Sequence, residues 1–234
     1  MATALPLPCL PRALQLFHDV EAVKESAAQF MKIRAVWRFF EAQREGNSLL
    51  VFEPGAEEPA HTFHFARQAR DNGICLSDYV LDPDDKGERD HVAVFVVTAG
   101  EGIRDFSEQA KARGDFFLMH CIQALALETA EAAAEYLHRR IREDWGFPDA
   151  PTMTMKDRFT SRYRGKRYSF GYPACPRLED QEALFRLLRP EEIGVQLTEG
   201  FMMDPEASVS ALVFHHPDAA YFSVSDEPVA QTQV

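Results

Sequence analysis

At 234 residues with 46% hydrophobic content, the chain can bury one sizeable core or two modest ones, as a globular protein does. Its net charge of −12 argues against a general nucleic-acid binder, which needs a basic surface to meet phosphate. Cys9, Cys75, Cys121 and Cys175 form no Cys-x-x-Cys pair. That spacing speaks against a disulfide framework or a structural zinc site and fits a reducing cytoplasm.

Residues 1–12 are proline-rich and expected to be irregular, and too short and broken to cross a membrane. No internal linker follows, so residues 13–234 are expected to form a single domain. Apolar residues at Leu14, Phe17, Val20, Val23, Ala27 and Phe30 recur as one helix face. Residues 33–40 and 48–52 are rich in β-branched and aromatic side chains around Glu45-Gly46-Asn47, which predicts a hairpin. Residues 82–90 are charged and contain Pro83 and Gly87, as a solvent loop would be. Residues 91–98 are almost continuously apolar, the pattern of a central strand covered on both faces.

Asp115 is a candidate N-cap for a long helix reaching about residue 143, with Leu118, Ile122, Leu125, Ala132, Tyr136 and Ile141 as its core face. Arg139, Arg140 and Arg142 lie near its C-terminus, where positive charge is favoured. A second helix is predicted over 178–188. Residues 196–202, 208–215 and 221–224 are predicted strands separated by Asp-Pro and His-Pro turns.

The most constrained stretch is Arg164-Gly165-Lys166-Arg167-Tyr168-Ser169-Phe170-Gly171-Tyr172-Pro173-Ala174-Cys175-Pro176. Two prolines and a glycine within six positions exclude a helix interior and leave backbone groups for other partners. Basic residues gather just ahead of it and into it, at Lys156, Arg158, Arg162, Arg164, Lys166 and Arg167, a preferred place for an anionic partner on an acidic chain. Cys175 stands between prolines without an obvious base and is not read as a nucleophile. His61, His64, His215 and His216 lack partners at metal-ligand spacing and read as structural. No P-loop, Gly-x-Gly-x-x-Gly or Gly-x-Ser-x-Gly motif is present.

The run from Arg167 through Gly171-Tyr172-Pro173-Ala174-Cys175-Pro176 resembles the signature of the activation domain of cobalamin-dependent methionine synthase. Ala130-Glu131-Ala132-Ala133-Ala134-Glu135-Tyr136-Leu137-His138 before it resembles the same family, as do Leu197-Thr198-Glu199, Ala207-Ser208-Val209-Ser210, His216-Pro217-Asp218 and Tyr221 after it. The resemblance implies an α+β fold, a bent and mostly antiparallel sheet flanked by helices. It also implies S-adenosylmethionine as ligand, lying in a shallow groove built by the signature loop and the last strands.

By the same resemblance, Arg167 holds the ligand carboxylate, while Ser169 (through its main chain), Gly171 and Tyr172 meet the adenine end. Tyr221 and Phe222 flank the sulfonium, and Glu131 receives the ammonium. Each has a plainer alternative: an arginine paired with an acid, aromatic packing, or a helix-face ion pair among Glu131, Glu135 and Arg139.

The implied activity is reductive methylation of cob(II)alamin to methylcobalamin. Cobalamin is carried by a partner module of methionine synthase, and flavodoxin or an equivalent reductase supplies the electron. The chain departs from the family pattern at Ser161 and Leu127, where the family has acids, and lacks an aspartate-bearing aromatic segment near its start. The alternative function is a non-catalytic binding or assembly protein that keeps the fold without S-adenosylmethionine.

Overall fold

The computed structural model describes residues 10–81 and 89–224. The expected solvent loop lies mostly outside these residues, as do Cys9 and the proline-rich residues 1–9. Helix α1, Leu10–Ala27, begins inside the segment expected to be irregular. Pro11 falls in its first turn, where a missing N–H costs nothing.

Strands β1, Arg34–Glu45, and β2, Ser48–Phe52, form the expected hairpin, with Glu45 opposite Ser48 and Gly46 turning at a φ of 57°. Strand β3 is His61–His64, and β4, Asp90–Thr98, follows the segment outside the description. Helices α2, Ile103–Ala112, and α3, Phe116–Trp145, come next, then the short α4, Met155–Phe159, and β5, Lys166–Tyr168. Helix α5, Gln181–Leu188, precedes β6, Gln196–Leu197, β7, Met203–Asp204, and β8, Ser208–Phe214.

Six strands share one sheet in the order β3-β2-β1-β4-β8-β5, every neighbouring pair antiparallel, and β6 pairs with β7 separately. This is the expected α+β architecture. β4 is indeed central, paired with β1 on one side and β8 on the other. Its alternation divides the core: Ala93, Phe95 and Val97 pack with α3, while Val92, Val94 and Val96 face the core containing α5 and the signature loop. At roughly 1.5–3 kcal/mol for each fully buried large apolar side chain, covering both faces of one strand is a major part of what holds the sheet between its helices.

Three predictions are corrected. Residues 221–224 form no strand; the residue just before them is held by Tyr168 Oη donating to Ala220 O at 2.8 Å, and the end of the stretch by Val224 N donating to Pro173 O at 3.0 Å. The predicted strand 196–202 breaks at a turn through Phe201, which has a φ of 61°, leaving only Gln196–Leu197 extended.

The third correction is rotational. α3 is capped by Asp115, which accepts from Leu118 N at 2.9 Å, but its buried face runs through Ile122, Ala126, Ala130, Ala133, Ala134, Leu137 and Ile141. Tyr136, expected inside, is 68% exposed. Alanines at four of the five positions 130–134 leave the apolar pattern without a distinct phase, so packing on β4 and β8 decides the rotation.

Candidate ligand-binding site

β5 is only three residues long, yet its placement is tightly determined. Gly165 leads into it at a φ of 75°, and a Cβ there would stand 2.5 Å from the Phe214 carbonyl oxygen, so only glycine permits this approach to β8. Pairing with β8 sets Arg167 opposite Val213 and Tyr168 opposite Leu212. Strand alternation then sends Tyr168 into the core, where its ring stacks on Tyr79, and sends Arg167 to the opposite face, toward α3.

There Arg167 meets two acids one helical turn apart. Its Nη1 donates to Glu135 Oε2 at 2.5 Å, and its Nη2 stands 3.9 Å from Glu131 Oε2. Its side chain is 18% exposed, against 58% for Glu131. Arg167 is thus shielded on one side by Glu135 while Glu131 reaches into solvent beside it. Tyr163 Oη also donates to Glu135 Oε2, at 3.0 Å. Tyr221 completes the group: its hydroxyl contacts Ser161, it lies in the field of Arg167, and its ring meets Tyr168 edge-on with centroids 5.6 Å apart.

A buried polar cluster lies behind these residues. The Arg142 guanidinium covers the Tyr163 ring and donates through Nε to Asp149 Oδ1 at 2.7 Å. His138 also meets that ring, in a T-shaped contact. Burial first, then the charges of Arg142, Arg167 and Lys166, hold His138 well below the ordinary histidine range, so it is neutral. Burial and then the Glu135 charge raise the Tyr163 phenol, which therefore keeps its proton and acts as a donor.

The remaining signature residues form a closed loop. Gly171 N donates to Cys175 O at 2.9 Å, and Cys175 N donates to Tyr172 O at 2.9 Å. The Cys175 thiol donates to Ser169 O at 3.0 Å. Burial, then Asp180, pushes that thiol up to about 12, which leaves it protonated and a poor nucleophile at neutral pH. Gly171 has a φ of 85°, and Tyr172 projects from the loop, 47% exposed. Phe222, by contrast, is buried in the main core near Tyr79 and Tyr168.

The structure therefore brings Arg167, Glu131 and Tyr221 together, sets Ser169, Gly171 and Tyr172 on the adjoining loop, and places Phe222 inside. The sequence reading passed over Glu135 and Tyr163 as site residues. Their signals were present: Glu135 is one turn beyond Glu131, and Tyr163 lies just before the signature.

The model of the family described as vitamin B12 dependent methionine synthase, activation domain, matches residues 10–234. This chain belongs to that family. It is 39% identical over 203 residues to the methionine synthase of Mycobacterium tuberculosis and 38% identical over 201 residues to that of Mycobacterium leprae. Each alignment covers 81% of the chain but only 17% of the relative's length. A crystal structure of the MetH reactivation domain bound to AdoHcy superposes with a TM-score of 0.83 at 31% identity, covering 96% of this chain and 73% of that one.

The two positions at which the sequence of this activation domain is expected to depart from the family pattern lie in different surroundings. Ser161, with a φ of 51°, sits beside the hydroxyls of Tyr163 and Tyr221, inside the site. Leu127 is half exposed and lines a separate cavity of about 300 Å³ between α2, α3 and residues 205–207.

The basic residues around the signature do not form one free patch. Arg158 pairs with Asp149 at 3.2 Å, Arg162 with Asp157 at 3.4 Å, and Arg164 donates to His215 O at 2.9 Å. Lys166 is bound to the carbonyls of Tyr163 and Gly165. His64 contacts Ser48, and His215 contacts Asp90. Among the described residues no group of three or more His, Cys, Asp or Glu side chains is placed to hold a metal ion, and no helix is long and apolar enough to cross a membrane.

Proposed function

We propose that this chain binds S-adenosylmethionine and, with residues 13–234 acting as one domain, serves as the reactivation module of a cobalamin-dependent methionine synthase. The observation that carries the reading is the position of Arg167: an edge-strand guanidinium with an acid on Nη1, an exposed carboxylate beside it and the Tyr221 ring nearby. The ligand's amino-acid end has a carboxylate and an ammonium, and this arrangement offers a fork for the first and Glu131 for the second. Tyr221 offers an aromatic face to the sulfonium. Ser169, Gly171 and Tyr172 would meet the purine from the adjoining loop. Phe222, being buried, would support Tyr221 from beneath.

The bound ligand supplies an activated methyl group. The residues of this chain contribute orientation, and the neutral, protonated state of Cys175 removes the signature loop's own thiol from competition for that methyl. Cobalamin would be presented by the cobalamin-binding module of the whole enzyme, and the electron by flavodoxin or an equivalent reductase. AdoHcy in the structurally similar MetH reactivation domain is the demethylated counterpart of the proposed ligand and supports the reading.

Isothermal titration of the chain with S-adenosylmethionine tests it directly. Binding that is lost in Arg167→Ala is the expected result. A wild-type chain that takes up no ligand would leave the fold as a binding or assembly module without this cofactor.

A further inference from the structure

Glu135 has no role in the binding scheme above, yet it is the residue in closest contact with Arg167. Its Oε2 receives two hydrogen bonds, from Arg167 Nη1 at 2.5 Å and Tyr163 Oη at 3.0 Å. Its other oxygen, Oε1, is buried with no partner. An unsatisfied buried carboxylate oxygen costs stability that an apolar residue would not. The residue therefore suits a purpose other than holding the fold together.

Tyr163 is itself immobilised. Its ring packs against the Arg142 guanidinium, 3.8 Å from its centroid, and meets the His138 ring in a T-shaped contact with centroids 5.1 Å apart, and Arg142 is anchored to Asp149 at 2.7 Å. A chain of contacts thus runs from Asp149 through Arg142, Tyr163 and Glu135 to Arg167. Its last link takes Nη1 of the guanidinium, so the Nε–Nη2 edge is the one left to receive an incoming carboxylate in two parallel bonds.

We propose that Glu135 is a positioning residue that locks the Arg167 guanidinium with its Nε–Nη2 edge turned to the ligand carboxylate, Tyr163 holding Glu135 in turn. This rests on the reading of Arg167 as the carboxylate holder. The test must therefore separate the two claims.

Affinities are measured for S-adenosylmethionine and for decarboxylated S-adenosylmethionine, which keeps the sulfonium, the ammonium and the purine. Arg167→Ala is expected to weaken only the first ligand; equal losses, or none, sink the carboxylate reading and this proposal with it. Given that selectivity, Glu135→Gln is expected to weaken S-adenosylmethionine about tenfold, since a charge-assisted bond becomes a neutral one, and to spare the decarboxylated ligand. The double variant should bind no more weakly than Arg167→Ala alone.

Unchanged or tighter S-adenosylmethionine binding by Glu135→Gln overturns the proposal. So does a loss shared by both ligands, which would mean that Glu135 touches the ammonium or the sulfonium directly. Should Glu135→Gln fail to fold, Tyr163→Phe decides: it keeps the ring and removes one bond to Oε2. A loss of about threefold confined to S-adenosylmethionine is then expected, and equal affinity refutes the idea.

Discussion

The Arg142 guanidinium carbon lies 3.8 Å from the centroid of the Tyr163 ring, so a cation with a side chain only 1% exposed sits directly behind the candidate site. The contact joins the C-terminal part of α3 to the segment leading into β5, the two elements that supply Glu135 and Arg167. Packing at this contact therefore sets the distance between the site's acid and its guanidinium.

Arg142 depends on Asp149, whose side chain is 4% exposed. Asp149→Asn would leave a buried guanidinium without a counter-charge, with Arg158 losing its partner as well. A loss of about 3 kcal/mol is expected by urea denaturation, against almost nothing for an exposed pair such as Arg189 with Glu192.

Lysine cannot reproduce a two-pronged grip on a carboxylate. Arg167→Lys should fold, because a flexible ammonium can still reach Glu135, yet bind S-adenosylmethionine about tenfold more weakly. Retained affinity in a titration would show that charge alone, without the fork, is enough.

Gly165→Ala combines a left-handed backbone with a Cβ that would press on the Phe214 carbonyl. The expected cost is about 2 kcal/mol or more, with part of the β5–β8 pairing lost. Amide exchange at residues 166–168 would report it; full protection in the variant would contradict the geometry.

His138 predicts a pH dependence. Folded, it resists protonation; unfolded, it takes up a proton as pH falls through its ordinary value of 6.5. Stability from this residue is therefore complete above 6.5 and declines below it, at about 1.4 kcal/mol per pH unit until the depressed folded value is reached. Denaturation of wild type and His138→Leu between about pH 7.5 and 5.5 should show a steeper acid loss in the wild type, and parallel curves would refute the assignment.

Much of the fold was legible because local physics dominates where patterns are strong. The Asp115 cap, the run of valines in β4 and the Gly46 turn each determine their own element. The failures have a common cause. The rotation of α3 was hidden by an alanine-rich stretch with no apolar phase, and the absence of a strand at 221–224 depends on tyrosine hydroxyls donated from residues far away in the chain.

The candidate site divides in the same way. Arg167, Gly171 and Tyr172 could be found from a contiguous motif, since a loop's chemistry is written in neighbouring residues. Glu135 had only its one-turn spacing from Glu131 to mark it, because a glutamate amid alanines on a long helix says nothing about what faces it. The amino-acid sequence by itself determined the central strand β4, the turn at Gly46, the Asp115 cap and the signature loop, all governed by interactions over a few residues. Only the tertiary structure decided that one turn of α3 lies across from the edge strand, because that distance is set by the packing of α3 on one face of β4 and β8 and by a buried cation against an aromatic ring.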